Sequence, residues 1–161
     1  MTADTLVFDP QIINRFDVNG PRYTSYPTAL EFSEEFGVDD FLYAAAEYPE
    51  RPLSLYVHIP FCHMLCYYCA CNKVITKHHE RAAEYLRYLG REVELQVAHF
   101  GKGHNVSQLH LGGGTPTFLS DAELEDLMTM IRRNFTLVPG GEYSIEVDPR
   151  TVTEQRLQNL A

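Results

Sequence analysis

Three times between residues 53 and 161 a short apolar run gives way to a turn and then to apolar residues at helical spacing. That alternation constrains the fold more than any other feature. Strand–helix–strand units close as parallel sheets covered by their crossover helices. The strand candidates are residues 53–59, 106–111 and 142–147. After the first, residues 80–100 put Tyr85, Leu86, Leu89, Val93 and Val97 on one helical stripe, and Gly101-Lys102-Gly103 stops it. After the second, Ser120 and Glu123 make a capping box ahead of Leu124, Leu127, Met128 and Ile131. Pro139-Gly140-Gly141 is a turn into the third, and Thr151 with Glu154 reads as another capping box opening a last helix. A complete β/α barrel takes ~250 residues. Residues 53–161 are therefore expected to form the first half of one, truncated, and the chain to be a piece of a longer protein.

Residues 1–52 read as an N-terminal extension. A short helix is expected over 9–16, with Ile12, Ile13 and Phe16 on one side, and a second over 38–48, closed by Pro49 and Pro52. Between them Gly20-Pro21-Arg22-Tyr23-Thr24-Ser25-Tyr26-Pro27-Thr28 excludes helix and central strand. On its residues alone this polar, aromatic loop is a surface crossover. A hydrophobic content of 45% suffices for a core, and a net charge of −9 argues against general nucleic-acid binding, which needs phosphate neutralisation. No apolar run of membrane-spanning length and no basic-then-apolar leader is present, so a cytoplasmic protein with no membrane insertion is expected.

All four cysteines, Cys62, Cys66, Cys69 and Cys71, sit on the loop that leaves the first strand at Pro60. This is the end of the strand where α/β folds place their chemistry. The first three follow a C-x3-C-x2-C spacing. A [4Fe–4S] cluster ordinarily takes four cysteines, so three thiolates would leave one iron open. The alternatives are a structural zinc site, which usually draws on two separated ligand pairs, and a thioredoxin-like Cys66–Cys69 pair, which leaves Cys62 and Cys71 unexplained. Cys71 lies two residues beyond Cys69 and is either a spare structural thiol or a proton or redox participant.

Other positions carry two readings each. Gly112, Gly113 and Gly114 end the second strand facing the cysteine loop, as a tight turn or as a close approach to a ligand. Glu146, near the end of the third strand, points either to solvent or into the barrel mouth, where a carboxylate could hold a ribose diol. Tyr56 and Tyr68 are core aromatics or site residues. His58 is a satisfied structural histidine before it is a ligand. Lys73, Lys77 and Arg81 form a basic run that is either a solvated helix start or an attraction for a polycarboxylate substrate.

Four stretches together, GPRYTSYPTALEF (20–32), RPLSLYVHIPFCHMLCYYCAC (51–71), GGGTPT (112–117) and IEVDPR (145–150), resemble the oxygen-independent coproporphyrinogen III oxidase family of the radical S-adenosylmethionine (SAM) superfamily. The cysteine spacing alone marks the superfamily. The PRYTSYPTA stretch and the C-x-C ending at Cys71 point to the oxidase. The resemblance implies a partial (β/α) barrel, a [4Fe–4S] cluster on Cys62, Cys66 and Cys69, and SAM contacts from Tyr56, Gly113 and Glu146. It implies a second SAM beside Tyr68, Gly114 and Thr115, with Tyr68 standing where phenylalanine is common and Ala70 where glycine is common. The implied reaction removes a hydrogen from the β-carbon of a propionate, releases carbon dioxide and leaves a vinyl group. It does so twice, taking coproporphyrinogen III to protoporphyrinogen IX, with an electron donor and an acceptor as partners and a monomeric full-length form. Cys71 and Arg22 are the catalytic candidates, Arg22 as a propionate contact. The alternatives are a haem-handling radical SAM protein without oxidase activity and a zinc-binding structural module.

Overall fold

The computed structural model of the chain describes residues 9–17 and 29–160, for Ala29 the backbone only. Contacts divide it into two units, 1–37 and 38–161. In the first, helix α1 (Pro10–Phe16) starts where Asp9 accepts the Gln11 N–H at 2.8 Å, as an N-cap aspartate does. Arg22 and its loop lie outside the described residues.

The second unit opens with α2 (Val38–Glu47), which the sequence grouped with the extension. Phe41 stands edge-on to Phe100 at 6.3 Å and to His99 at 6.5 Å, so this helix packs on the end of α3 (Arg81–Phe100). The sheet is three parallel strands in the order β1 (Leu53–Ile59), β4 (His104–Gly113), β5 (Phe135–Ile145). Helix α3 makes the crossover from β1 to β4, and α4 (Asp121–Asn134) that from β4 to β5. The capping box on Ser120 and Glu123 is present, both halves of it.

One face of the sheet carries the core. Val57, Ile59, Val106, Leu109 and Leu111 are buried there with Leu124, Leu127 and Ile131 of α4. Tyr85, Leu86, Leu89, Val93 and Val97 of α3 pack against this cluster as partly buried residues. The opposite face is polar. Tyr56 and His58 on β1, Gln108 and His110 on β4, and Glu142 and Ser144 on β5 fall in register across it. The apolar run 53–59 reads from its sequence as a buried strand; it is instead an alternating strand, buried on one face only, with Tyr56 59% exposed on the other.

Three local differences from the sequence reading have physical causes. The third strand begins at Phe135, not at 142, because the Pro139-Gly140-Gly141 segment bulges within it. Pairing jumps from Leu137↔Val106 to Glu142↔Gln108, and the Tyr143 hydroxyl fills the gap, 2.6 Å from the Val138 carbonyl and 3.2 Å from that of Val106. The Thr151–Glu154 capping box does not form. The Thr151 hydroxyl donates to the Asp148 carbonyl instead, and Thr153 accepts the Arg156 N–H at 3.2 Å, capping α5 (Glu154–Leu160) two residues later. Finally, a two-stranded parallel ladder, β2 (Phe61–Cys62) with β3 (Val74–Ile75), went unread because each strand has only two residues. It closes the neck of the cysteine loop, with Val74 N–H on the Pro60 carbonyl at 2.7 Å and Thr76 N–H on that of Cys62 at 2.9 Å.

Candidate active site

The C-terminal ends of all three sheet strands meet the cysteine loop. From β4, Gly114 N–H donates to the Ile59 carbonyl at 2.8 Å and Thr115 N–H to the Phe61 carbonyl at 2.9 Å, which carries the β1–β4 ladder on to β2. A Cβ on Gly114 would lie 2.8 Å from the Phe61 and Pro60 carbonyl oxygens and 2.9 Å from Cys62 Sγ. Gly113 has φ +112°, and a Cβ there would lie 2.8 Å from the His58 ring. The glycine run is therefore a close approach: any side chain would push β4 off the cysteine loop.

Glu146 is registered by its own N–H on the Leu111 carbonyl at 2.9 Å. Its carboxylate turns into the barrel mouth, where Oε2 accepts the Gly113 N–H at 3.1 Å and Oε1 lies 3.5 Å from His110 Nε2. His110 Nδ1 is 2.7 Å from Ser144 Oγ. A carboxylate only accepts, so the consistent assignment puts the imidazole proton on Nε2 and lets Nδ1 accept from the serine. Tyr56 stacks on His110 at 5.8 Å and 15°. Its hydroxyl is 3.0 Å from His58 Nδ1, and His58 Nε2 is 2.8 Å from the Asn72 carbonyl. A carbonyl cannot donate, so His58 holds its proton on Nε2 and accepts from Tyr56. Both nitrogens of His58 are thus used structurally, fastening the far end of the cysteine loop to β1. Burial, then the charges of Glu146 and Cys71, push the Tyr56 hydroxyl above its usual pKa and keep it a donor.

The four thiols are free. Cys62 is buried in the neck, with the Thr115 hydroxyl 3.5 Å from its sulfur. Cys69 N–H donates to the Cys66 carbonyl at 3.1 Å. The Cys71 N–H pulls the Cys69 thiol below its usual pKa, and a hydrogen bond to Cys69 pushes Cys71 above its own. Arg150 Nη2 lies 3.5 Å from Cys66 Sγ. Asp148 in turn is held below the usual carboxylate range by the Arg150 guanidinium.

All four cysteines open onto one cavity of about 970 Å³. Tyr68, Gly113, Gly114, Thr115 and Glu146 line it too, Tyr68 being 90% exposed. Tyr56 is not on its lining but stacks on His110, which lies 3.5 Å from Glu146. Of the basic run Lys73 reaches the cavity wall, donating to the Cys71 carbonyl at 3.1 Å, whereas Lys77 and Arg81 do not. Among the described residues no three His, Cys, Asp or Glu side chains converge as a single metal ion requires. Three soft thiolates spread around a cavity suit a larger iron–sulfur group. The Thr117 hydroxyl, buried on the same wall without a partner among the described residues, also fits a bound ligand.

The Radical SAM superfamily model matches residues 56–161. This chain belongs to the radical SAM superfamily. Within it the chain belongs to the oxygen-independent coproporphyrinogen III oxidases. The relative of that name from Mannheimia haemolytica is 53% identical over 89% of this chain and 98% of its own length. That from Escherichia coli K12 is 52% identical over 99% of this chain, but over 35% of its own length. A solved structure described as coproporphyrinogen III oxidase from Escherichia coli, a radical SAM enzyme, superposes with a TM-score of 0.80 at 51% identity. It covers 96% of this chain and 34% of that one. The chain thus spans about a third of the length of the longer relatives. The parallel α/β sheet expected from the strand–helix alternation is observed, and its radical SAM type, which the resemblance implied, is that of the matching family and structure.

Sequence reasoning brought Cys62, Cys66, Cys69, Cys71, Tyr68, Gly113, Gly114, Thr115 and Glu146 to this cavity. It passed over His110, which joins Tyr56 to Glu146, and the pair Asp148–Arg150, which reaches a cysteine. For His110 the available signal was its place two residues before the glycine run, on the same face as Tyr56. For Arg150 it was an Asp-Pro-Arg turn directly after a strand.

Proposed function

We propose that this chain carries the cluster- and SAM-binding half of an oxygen-independent coproporphyrinogen III oxidase, which turns two propionates of coproporphyrinogen III into the vinyls of protoporphyrinogen IX. The observation that supports this most is the meeting of the three motif cysteines, Gly113-Gly114 and Glu146 on one cavity at the strand ends. When bound and reduced, a [4Fe–4S] cluster with one iron free of protein supplies the electron that cleaves SAM and starts radical chemistry at a C–H bond.

The chain's own residues then have definite tasks. Cys62, Cys66 and Cys69 hold the cluster. Glu146, oriented through both oxygens by Gly113 N–H and His110, keeps its outer lone pairs for a ribose diol. Tyr56 supports that arrangement from behind His110. Tyr68, Gly114 and Thr115 form the wall proposed for a second SAM. Cys71 and Arg22 are the proposed substrate-side groups, with electron donor and acceptor as partners in a cytoplasmic enzyme.

Anaerobic reconstitution with iron and sulfide tests this. The expected product is brown, holds about four irons and four sulfides per chain, and is lost in Cys62→Ser, Cys66→Ser and Cys69→Ser but kept in Cys71→Ser. A colourless protein with one zinc would overturn the reading.

A further inference from the structure

Residues 148–150 leave β5 in a turn closed by Thr151 N–H on the Asp148 carbonyl at 3.0 Å. Arg150 folds back on that turn. Its backbone N–H donates to Asp148 Oδ1 at 3.0 Å, its Nε to the same oxygen at 2.9 Å, and its Nη2 to Oδ2 at 2.8 Å. A two-pronged carboxylate contact of this kind fixes the guanidinium plane. The Asp148 side chain is only 16% exposed. Nη2 carries a second N–H, and the sulfur of Cys66 lies 3.5 Å from it. A residue on the third strand's exit loop thus reaches a sulfur of the first strand's loop, 84 positions away in sequence. The C-x3-C-x2-C spacing asks for no such partner.

We propose that Arg150, clamped by Asp148, is a positioning residue that donates a charged N–H···S hydrogen bond to Cys66 in the cluster-bound protein and raises the reduction potential of the cluster. The proposal rests on the assignment of Cys66 as a cluster ligand. Reduction adds negative charge to the cluster and its sulfurs. A fixed positive donor at one sulfur favours the reduced form, as hydrogen bonds and nearby charge do in iron–sulfur proteins generally. Asp148 partly offsets the charge of Arg150, so the directed N–H is the larger part of the effect.

The test is a redox titration of the reconstituted chain, followed by its electron paramagnetic resonance signal, for wild type, Arg150→Gln, Arg150→Lys and Asp148→Asn. Arg150→Gln is expected to shift the reduced-to-oxidised ratio at a given potential about tenfold toward oxidised, a fall of ~59 mV for one electron. Arg150→Lys, which keeps the charge and loses the fork, and Asp148→Asn, which frees the fork, are expected to fall between. Resonance Raman spectra in D₂O give a second readout: one terminal Fe–S(Cys) mode shifts in wild type and not in Arg150→Gln. Equal potentials and equal D₂O shifts in wild type and Arg150→Gln overturn the proposal while the cluster assignment stands. If Arg150→Gln fails to load, Arg150→Lys decides, and a wild-type potential there overturns the proposal. A wild-type chain that assembles no cluster overturns both it and the proposed function.

Discussion

Replacing Gly114 by alanine tests how tightly β4 is pressed against the neck of the cysteine loop. The added methyl would sit 2.8 Å from two carbonyl oxygens, those of Pro60 and Phe61, and 2.9 Å from Cys62 Sγ. Neither carbonyl is free to move. That of Pro60 accepts Val74 N–H at 2.7 Å and that of Phe61 accepts Thr115 N–H at 2.9 Å. Relief must therefore weaken two hydrogen bonds, about 1 kcal/mol each, and overpack a filled site, typically 1–3 kcal/mol. The expected loss is about 3 kcal/mol, or about 1.5 M in urea midpoint for a slope near 2 kcal/mol/M. Gly90 supplies the control. It lies inside α3, and its added methyl would meet only Met130 Sδ, at 3.4 Å. Gly90→Ala should gain ~0.5 kcal/mol by shedding the helical cost of glycine. Urea unfolding followed by circular dichroism measures both. A Gly114→Ala midpoint within about 0.5 kcal/mol of wild type would mean that the neck yields, and the argument from close approach would fail. The same variant should load less iron, because the contact also displaces Cys62 Sγ.

Other expectations follow from single contacts. His58→Ala leaves the Asn72 carbonyl without its donor and the Tyr56 hydroxyl without its acceptor, so amides over 63–73 should exchange about tenfold faster, a local cost of ~1–3 kcal/mol; unchanged exchange refutes the clamp. Ser120→Ala removes the cap of α4 and should cost about 1 kcal/mol by urea unfolding. Burial pushes the Glu123 carboxyl upward, but the Ser120 N–H and hydroxyl and His79 together outweigh it and leave the pKa below the ordinary 4.5. A depressed folded-state pKa means its contribution is complete above pH 4.5 and fades as pH falls through the folded value. Wild type and Glu123→Gln should therefore converge in stability on acidification, and a gap that widens in acid contradicts the sign. His110→Phe keeps a ring against Tyr56 but loses the donor to Glu146. It should weaken binding of S-adenosylhomocysteine by about tenfold, read calorimetrically, with little change in unfolding midpoint.

The fold was legible because its signals are local. Alternation of 53–59, 106–111 and a third apolar run with two amphipathic helices leaves few arrangements open, and Ser120 with Glu123 marks a helix start by chemistry that acts within one turn. The cavity was legible for the same reason: cysteines after one strand, glycines after the next and Glu146 after the third must share the strand-end face of a parallel sheet. What escaped depends on distance in three dimensions. Nothing in the sequence pairs Phe61–Cys62 with Val74–Ile75, since two-residue strands carry no period. The Pro139-Gly140-Gly141 turn was seen, but not that Tyr143 would plug it and keep the strand continuous. Thr151 and Thr153 compete for one cap, and the Asp148 carbonyl takes the Thr151 hydroxyl out of that competition. The orientation of Glu146 needed His110 and Gly113, from the neighbouring strand, to be placed.

The most direct measurement is electron–nuclear double resonance on the reduced, reconstituted chain with SAM labelled by ¹⁵N at its amino group and ¹⁷O at its carboxylate. Both nuclei should couple strongly to the cluster, with coupling lost when Cys62, Cys66 or Cys69 is replaced and retained in Cys71→Ser. A cluster that forms yet shows no coupling to either nucleus, because Cys71 or another protein group already occupies the fourth iron, contradicts the account.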